Sequence, residues 1–233
     1  MRCLTLAEEL KKNGSDITFI SRAHEGNLNG LISDKGMKVV ELSATDSCSS
    51  PVGNGCSDDY AEWLGVTQKQ DARESINALS KIIPDWLIVD HYGLDESWEK
   101  TIRSHVRKIM VIDDLANRHH DCEMLLDQNW FDDKESRYKG LVPDACTKLL
   151  GPEYALLRSE FSEARKKGKP RNGDVKRIFV FFGGSDPHNL TGMALRALSD
   201  SELVHMEVDA VIGENNPHRA ELKKLVAQRP LTN

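Results

Sequence analysis

The run at residues 176–189, KRIFVFFGGSDPHN, constrains the fold more than any other stretch of the chain. Ile178 to Phe182 are β-branched and aromatic residues in succession, the pattern of a strand buried on both faces. Gly183, Gly184 and Ser185 break that strand, and Pro187 with the polar Asn189 opens a helix expected to run through Leu198. Paired glycines let a backbone turn sharply and come close to a ligand. The first amides of the following helix have no intrahelical acceptor and sit at its positive end, which suits phosphate. Strand, Gly-Gly-Ser turn and helix together point to a bound nucleotide or sugar phosphate. An ordinary tight strand-to-helix turn carries the same local pattern.

The rest of the chain alternates helix and strand, which predicts an α/β fold. Arg2–Lys12 reads as a helix, with Leu4, Ala7 and Leu10 as its apolar stripe and Gly14 as its C-cap. Strands are expected at 17–20 and at Lys38–Leu42, the second after a turn region between Gly30 and Gly36. A Ser/Gly/Asn-rich loop at 43–55 precedes a long helix at about 59–82. WLIVD (86–90) and KIMVID (108–113) read as buried strands, separated by a helix containing Trp98, Ile102 and Val106. A short strand at 123–127 and a helix near 158–167 follow.

A linker, KKGKPRNGD at 166–174, divides the chain into domains at 1–168 and 169–233. Beyond it come strands at 177–182 and 207–212 and helices after each. Two strands and two helices bury too little for an independent core and predict the first half of a doubly wound domain. Met1 opens inside a helix with no strand before it, although such sheets usually begin with a strand. The expectation is therefore a chain cut at both ends, its first domain lacking its initial strand and its second incomplete.

Composition narrows the function. The chain has 39% hydrophobic and 29% charged residues, no apolar run near the ~20 residues a membrane helix needs, and Glu8 and Glu9 where a signal peptide would be apolar. A net charge of −6 argues against a nucleic-acid partner held by phosphate neutralisation. Five scattered cysteines without a C-x-x-C pair argue against a disulfide framework or zinc site, and reduced cytoplasmic thiols are the simplest account.

In open parallel sheets ligands sit outside the carboxyl ends of the strands. Three features fall there: Asp90-His91-Tyr92-Gly93, the segment from Asp113 to Arg118, and Gly183-Gly184-Ser185-Asp186. His91 and Tyr92 can serve as acid, base or substrate donor, or be structural loop polars. Asp113 and Asp114 can bind a cation, but capping the next turn suits them better. His119-His120-Asp121 invites a metal reading, yet adjacent loop histidines point apart and no H-x-x-x-H spacing supports it, so no metal site is predicted. Arg118 and Arg158 are candidates for a bidentate phosphate or carboxylate contact, with a surface salt bridge as the plainer role.

Four motifs in order, VDHYGLD (89–95), IDDLANRHHDCEMLLDQN (112–129), LLGPEYALLRSEF (149–161) and FFGGSDPHNLT (181–191), closely resemble the nucleotide-sugar hydrolases of pseudaminic acid biosynthesis, which act on UDP-2,4-diacetamido-2,4,6-trideoxy-β-L-altropyranose. The opening MRCLTLAEEL resembles that family's first helix. The resemblance implies a two-domain GT-B architecture of Rossmann-like, doubly wound domains. The first, 1–168, would lie on the sugar side, and 169–233 would begin the nucleotide-binding domain.

It further implies release of UDP by water attack at the anomeric carbon, with inversion, in the cytoplasm and without metal or cofactor. The partners implied are the UDP-sugar and fused or pathway enzymes, with no nucleic acid and no membrane insertion. Carried over by motif, Gly183, Gly184, Ser185 and Asp186 form the phosphate-side loop, Arg158 contacts substrate, and Tyr92 supports the reaction near the attacking water. His91, on a different strand end, does not replace the family's catalytic histidine.

That histidine belongs to a G-x-G-H-V-x-R-C-type turn which Met1-Arg2-Cys3 only ends, and a later G-G-S-T-x-W-E-type segment is also lacking. This exact chain is therefore expected to be inactive. The rival expectations are a glycosyltransferase of the same architecture, a hydrolase of another nucleotide sugar, and a non-catalytic nucleotide-sugar-binding fragment.

Overall fold

The apolar runs pair as parallel strands, and helices close over them. The computed structural model describes residues 1–24, 26–44, 60–79, 82–168, 173–199, 202–214 and 216–228. The chain divides into two units, Met1–Lys167 with two sheets and Gly168–Asn233 with one, each with its own apolar packing.

In the first unit α1 (Arg2–Lys12) leads into β1 (Thr18–Arg22), α2 (Asn29–Asp34) and β2 (Lys38–Leu42), and β1 pairs with β2 in parallel. A 3₁₀ turn at Tyr60–Leu64 and α3 (Gln68–Leu79) follow. Then come β3 (Leu87–Val89), α4 (Glu96–Ile102), β4 (Ile109–Ile112), β5 (Met124–Asp127), the short α5 (Lys134–Arg137) and β6 (Thr147–Leu150). The strands β3 to β6 form one parallel sheet in that order, with Val89 opposite Val111 and Ile112 opposite Leu126. The unit ends with α6 (Ser159–Lys167), which buries none of its residues.

Side chains alternate across a strand, so the sheet feeds two apolar layers. Val89, Ile109, Val111 and Leu125 pack with Ala72, Trp98, Ile102 and Tyr138 on one face. Met110, Ile112 and Leu126 face the other way, against Cys3 and Leu6 of α1. Coverage on both faces explains why all four residues of β4 are buried. The adjoining side of α1, Leu4 and Ala7, packs with Ile32, Met37 and Phe19 of the smaller sheet's layer. One helix thus serves two cores.

A buried ion pair adds a second join. Arg22, the last residue of β1, places Nη2 2.6 Å from Asp71 Oδ2 in the first turn of α3, with side-chain exposures of 5% and 8%. Trp98 Nε1 of α4 donates to the other Asp71 oxygen at 2.9 Å. Arg22 also lies 2.7 Å from Glu74 and donates to the Ser43 carbonyl.

In the second unit β7 (Arg177–Val180) pairs in parallel with β8 (Glu207–Ala210). α7 (Leu190–Ser199) and α8 (Arg219–Gln228) complete it, with Val180, Leu195, Val208 and Leu222 as its core. The architecture of both units is α/β with parallel sheets, as the alternating pattern predicts.

Several local expectations are corrected. The strand at 177–182 stops at Val180 and is not buried on both faces: Phe179 is 67% exposed, because the packed helices meet the face that carries Val180 and Val208. The helix expected at 59–82 is broken at Gly65 into a 3₁₀ turn and α3. The turn region at 30–36 holds α2, and β6 has no counterpart in the sequence reading. Most of the loop at 43–55, Cys48, Cys56 and the centre of the linker lie outside the described residues. No described helix is long and apolar enough to cross a membrane.

Removing one partner of a buried ion pair leaves an uncompensated charge, at a cost of about 3–5 kcal/mol. Asp71→Ala is expected to lose stability of that order in urea denaturation, and Arg22→Met with Asp71→Leu much less. Equal losses in the single and double variants would show that packing, not charge pairing, joins these elements.

Candidate functional site

Parallel pairing brings the carboxyl ends of β3, β4 and β5 to one edge, where Asp90, Asp113, Asp114 and Asp127 follow or end the strands. The start of α1 comes to the same edge. Arg2 donates from Nε and Nη2 to the Asp90 carboxylate at 2.7 to 3.1 Å, and its Nη1 lies 3.4 Å from Asp114 Oδ2. Asn129 Nδ2 donates to the same Asp114 oxygen at 3.2 Å. Cys3 Sγ lies 3.3 Å from Asp90, and burial beside that carboxylate pushes its thiol up to about 12, so it stays protonated.

Tyr92 shares this network. Burial, then its hydrogen bond to Asp114, raises its pKa, so the phenol is a proton donor and not a base at neutral pH. The guanidiniums of Arg2 and Arg118 each lie 6.0 Å from its ring centre.

A deeper polar layer fixes these ends. Asp113 is fully buried, accepts from the Ala116 amide at 3.0 Å and lies 3.0 Å from Arg118 Nη1. Asp113 therefore caps the next turn, and Arg118, which also donates to the Leu94 carbonyl, is committed to the scaffold. Tyr138 Oη reaches Asp127 at 2.9 Å and Asp113 at 3.2 Å; burial, then the two carboxylates, hold it protonated. Arg137 joins Asp127 to the Asp114 carbonyl and stacks on Phe131 at 3.5 Å. His120, of the His-His-Asp motif, is buried and bonded to Glu99 at 2.7 Å.

His91 also has a structural part. Its Nδ1 accepts from the Gly93 amide at 2.9 Å, which leaves the other ring nitrogen to bond the Trp63 backbone. Gly93 lets the 3₁₀ turn come close, since a Cβ there would stand 2.6 Å from the Tyr60 carbonyl oxygen. Together they fasten the Tyr60–Leu64 turn beside Tyr92.

Arg158 is half-exposed, 3.9 Å from Glu160, with its guanidinium 5.6 Å from the Phe161 ring. It lines a hollow with Met1, Arg2, Thr5, Leu157 and Phe161. Arg2 thus links the Tyr92 network to the hollow of Arg158.

The Gly183–Asp186 loop belongs to the second unit. Asp186 is buried and accepts from the Leu190 and Thr191 amides at 2.8 and 2.9 Å, while Asn189 Oδ1 accepts from Gly192. Burial would raise the Asp186 pKa, but the Thr191 hydroxyl, the Thr191 and Leu190 amides and the charge of His218 together outweigh it and lower it. The first amides of α7, expected to be unpaired, are thus already occupied. An anion at this loop would meet residues 183–185. The Gly213 amide donates to the Gly184 carbonyl at 3.1 Å, and a Cβ at Gly213 would fall 2.2 Å from that oxygen, so only glycine fits there.

Sequence reasoning missed Arg2, Asn129, Arg137, Tyr138, Trp63 and Gly213. Asn129 ends one of the four motifs, Gly213 follows an apolar run and Arg2 matches the arginine that ends the G-x-G-H-V-x-R-C-type turn, so these three carried signals.

No protein-family model matches the chain. It is 33% identical over 216 residues to the UDP-2,4-diacetamido-2,4,6-trideoxy-beta-L-altropyranose hydrolase of Campylobacter jejuni, covering 92% of this chain and 65% of that protein. It is 26% identical over 238 residues to an uncharacterized protein of Methanocaldococcus jannaschii, covering 97% of this chain and 41% of that one. The chain thus spans under two thirds of the length of either relative.

Burial lowers the His91 pKa below its ordinary 6.5. The unfolded chain then binds the proton more readily than the fold does. The stability that the neutral ring contributes is complete above about pH 6.5 and is lost as pH falls through the lower folded value. The difference in melting temperature between the wild type and His91→Gln should be largest above that pH and shrink on acidification. A difference that stays constant down to about pH 5 would contradict a neutral, fastening His91.

Proposed function

We propose that the chain belongs to a nucleotide-sugar hydrolase that converts UDP-2,4-diacetamido-2,4,6-trideoxy-β-L-altropyranose to UDP and the free sugar, a cytoplasmic step of pseudaminic acid biosynthesis, and that the sequence as it stands, without a G-x-G-H-type turn, is inactive or nearly so. The observation that carries this reading is the 33% identity to the Campylobacter jejuni hydrolase along 92% of the chain. Two α/β units with parallel sheets agree with a GT-B arrangement, in which residues 1–168 take the sugar and 169–233 begin the nucleotide side.

The reaction needs only water and a good leaving group. The water oxygen bonds to the anomeric carbon as the bond from that carbon to the diphosphate oxygen breaks, and UDP leaves with the electron pair. The water's proton must pass to a base; the resemblance places that base on a G-x-G-H-type turn, which residues 1–233 do not contain. Tyr92, whose hydroxyl donates to Asp114, is held with an oxygen lone pair free to accept a hydrogen bond from a sugar hydroxyl or amide N–H. Arg158, half-exposed, can offer its guanidinium fork to substrate. Gly183, Gly184 and Ser185 face the phosphates, and Asp186 holds their turn against α7.

Assayed without any acceptor sugar, a form of the protein that carries the G-x-G-H-type turn should release UDP from this substrate, and residues 1–233 alone should release little or none. Tyr92→Phe should lower kcat/KM about 10- to 100-fold, the worth of one hydrogen bond at a charged transition state. No UDP release by that form without an acceptor would contradict the hydrolase reading, and an unchanged Tyr92→Phe would remove Tyr92 from the site.

A further inference from the structure

We infer that Tyr60, Trp63 and Tyr92 form an aromatic shelf that takes the methyl-bearing side of an N-acetylated deoxy sugar. The three rings touch as one cluster: Tyr60 and Trp63 meet edge to face at 4.9 Å, Tyr60 and Tyr92 at 5.1 Å, Trp63 and Tyr92 at 6.1 Å. Trp63 is 60% exposed although its neighbour Leu64 is buried in the main core. A large apolar ring left in solvent beside a polar site is informative in a way that a scattered surface leucine is not.

The turn that carries Trp63 is held firmly. His91 bonds its backbone, Gly93 admits the Tyr60 carbonyl, and Leu64 anchors its end. The ring of Tyr92 is flanked by Arg2 and Arg118, so Trp63 is the member that presents open ring surface. The shelf is continuous with the polar network, because Tyr92 belongs to both.

The occupant follows from that pairing. A 2,4-diacetamido-2,4,6-trideoxy sugar carries two acetyl methyls and a C6 methyl alongside amide N–H groups, C=O groups and a hydroxyl. Apolar C–H groups bury well on an indole, whose face is negative, while the polar edge needs placed donors and acceptors. Trp63 and Tyr60 supply the first, and Tyr92 with Asp114 the second. This identification of the occupant rests on the nucleotide-sugar reading above; the shelf itself rests on the ring geometry.

Two measurements on a form of the protein that carries the G-x-G-H-type turn separate the two ideas. Trp63→Ala is expected to raise KM for the UDP-diacetamido sugar about tenfold, the worth of one or two buried methyl groups, with kcat within about twofold. Trp63→Phe should recover most of the loss. The methyl glycoside of the same sugar, which carries no nucleotide, should shift the Trp63 indole N–H resonance of the wild type, and UDP alone should not. An unmoved indole signal together with an unchanged KM overturns the shelf, even if the wild type releases UDP and the hydrolase reading stands. An indole shift without UDP release keeps the shelf and removes the hydrolase reading. A change of oligomeric state in Trp63→Ala with KM unchanged overturns the shelf in favour of a protein contact. The indole measurement needs no variant, so it decides the matter even if Trp63→Ala does not fold.

Discussion

Two carboxylates, Asp90 and Asp114, stand at the ends of neighbouring parallel strands, and one guanidinium, that of Arg2, lies against both. Without the cation, two like charges at one sheet edge would repel and turn toward water. With it, the first turn of α1 is tied to the sheet edge at which ligands of parallel α/β sheets are bound. The same helix packs into two apolar layers, so the position of Arg2 is set by packing as well as by charge. Tyr92 inherits that order through its hydrogen bond to Asp114.

Groups at this edge divide by what they already hold. Asp113, Asp127, Arg118, Arg137 and Tyr138 are bound to one another and fix the strand ends. His120 and Glu99 do the same for the loop before β5. Arg158 and Trp63 retain substantial exposure, and these can meet a ligand with little rearrangement. The second unit follows the same logic: Asp186 supplies the negative charge at the start of α7 and occupies its first amides. A buried, satisfied network beneath a sparse exposed layer is how a site keeps its geometry while exchanging ligands.

The strong features of the fold were legible because burial and β-branching coincide in them. KIMVID became β4, buried at every position, and the Arg2–Lys12 stripe became α1 with identical bounds. The same rule failed at Ile178 to Phe182, where an equally apolar run has one face covered and Phe179, Phe181 and Phe182 exposed. Apolar content reports what a strand can bury, not what lies over it. The strand Thr147–Leu150 escaped notice because its first two residues are exposed and polar. The Tyr92 and Gly183–Asp186 turns were found from strand ends and motifs. Arg2 stood at the end of a motif, but its role could not be read there, since its partners lie 88 and 112 residues away. Trp63 was hidden inside an expected long helix, whose break at Gly65 sets the aromatic turn apart.

The account stands on one placement, the sugar against Tyr92 and Trp63 at the carboxyl edge of the β3–β6 sheet. A crystal structure of the full-length protein with the free diacetamido sugar tests it most directly. The predicted result is an acetamido or C6 methyl in van der Waals contact with the Trp63 indole, and a sugar polar atom within hydrogen-bond distance of the Tyr92 hydroxyl. A sugar bound elsewhere, with Trp63 and Tyr92 untouched, would contradict it.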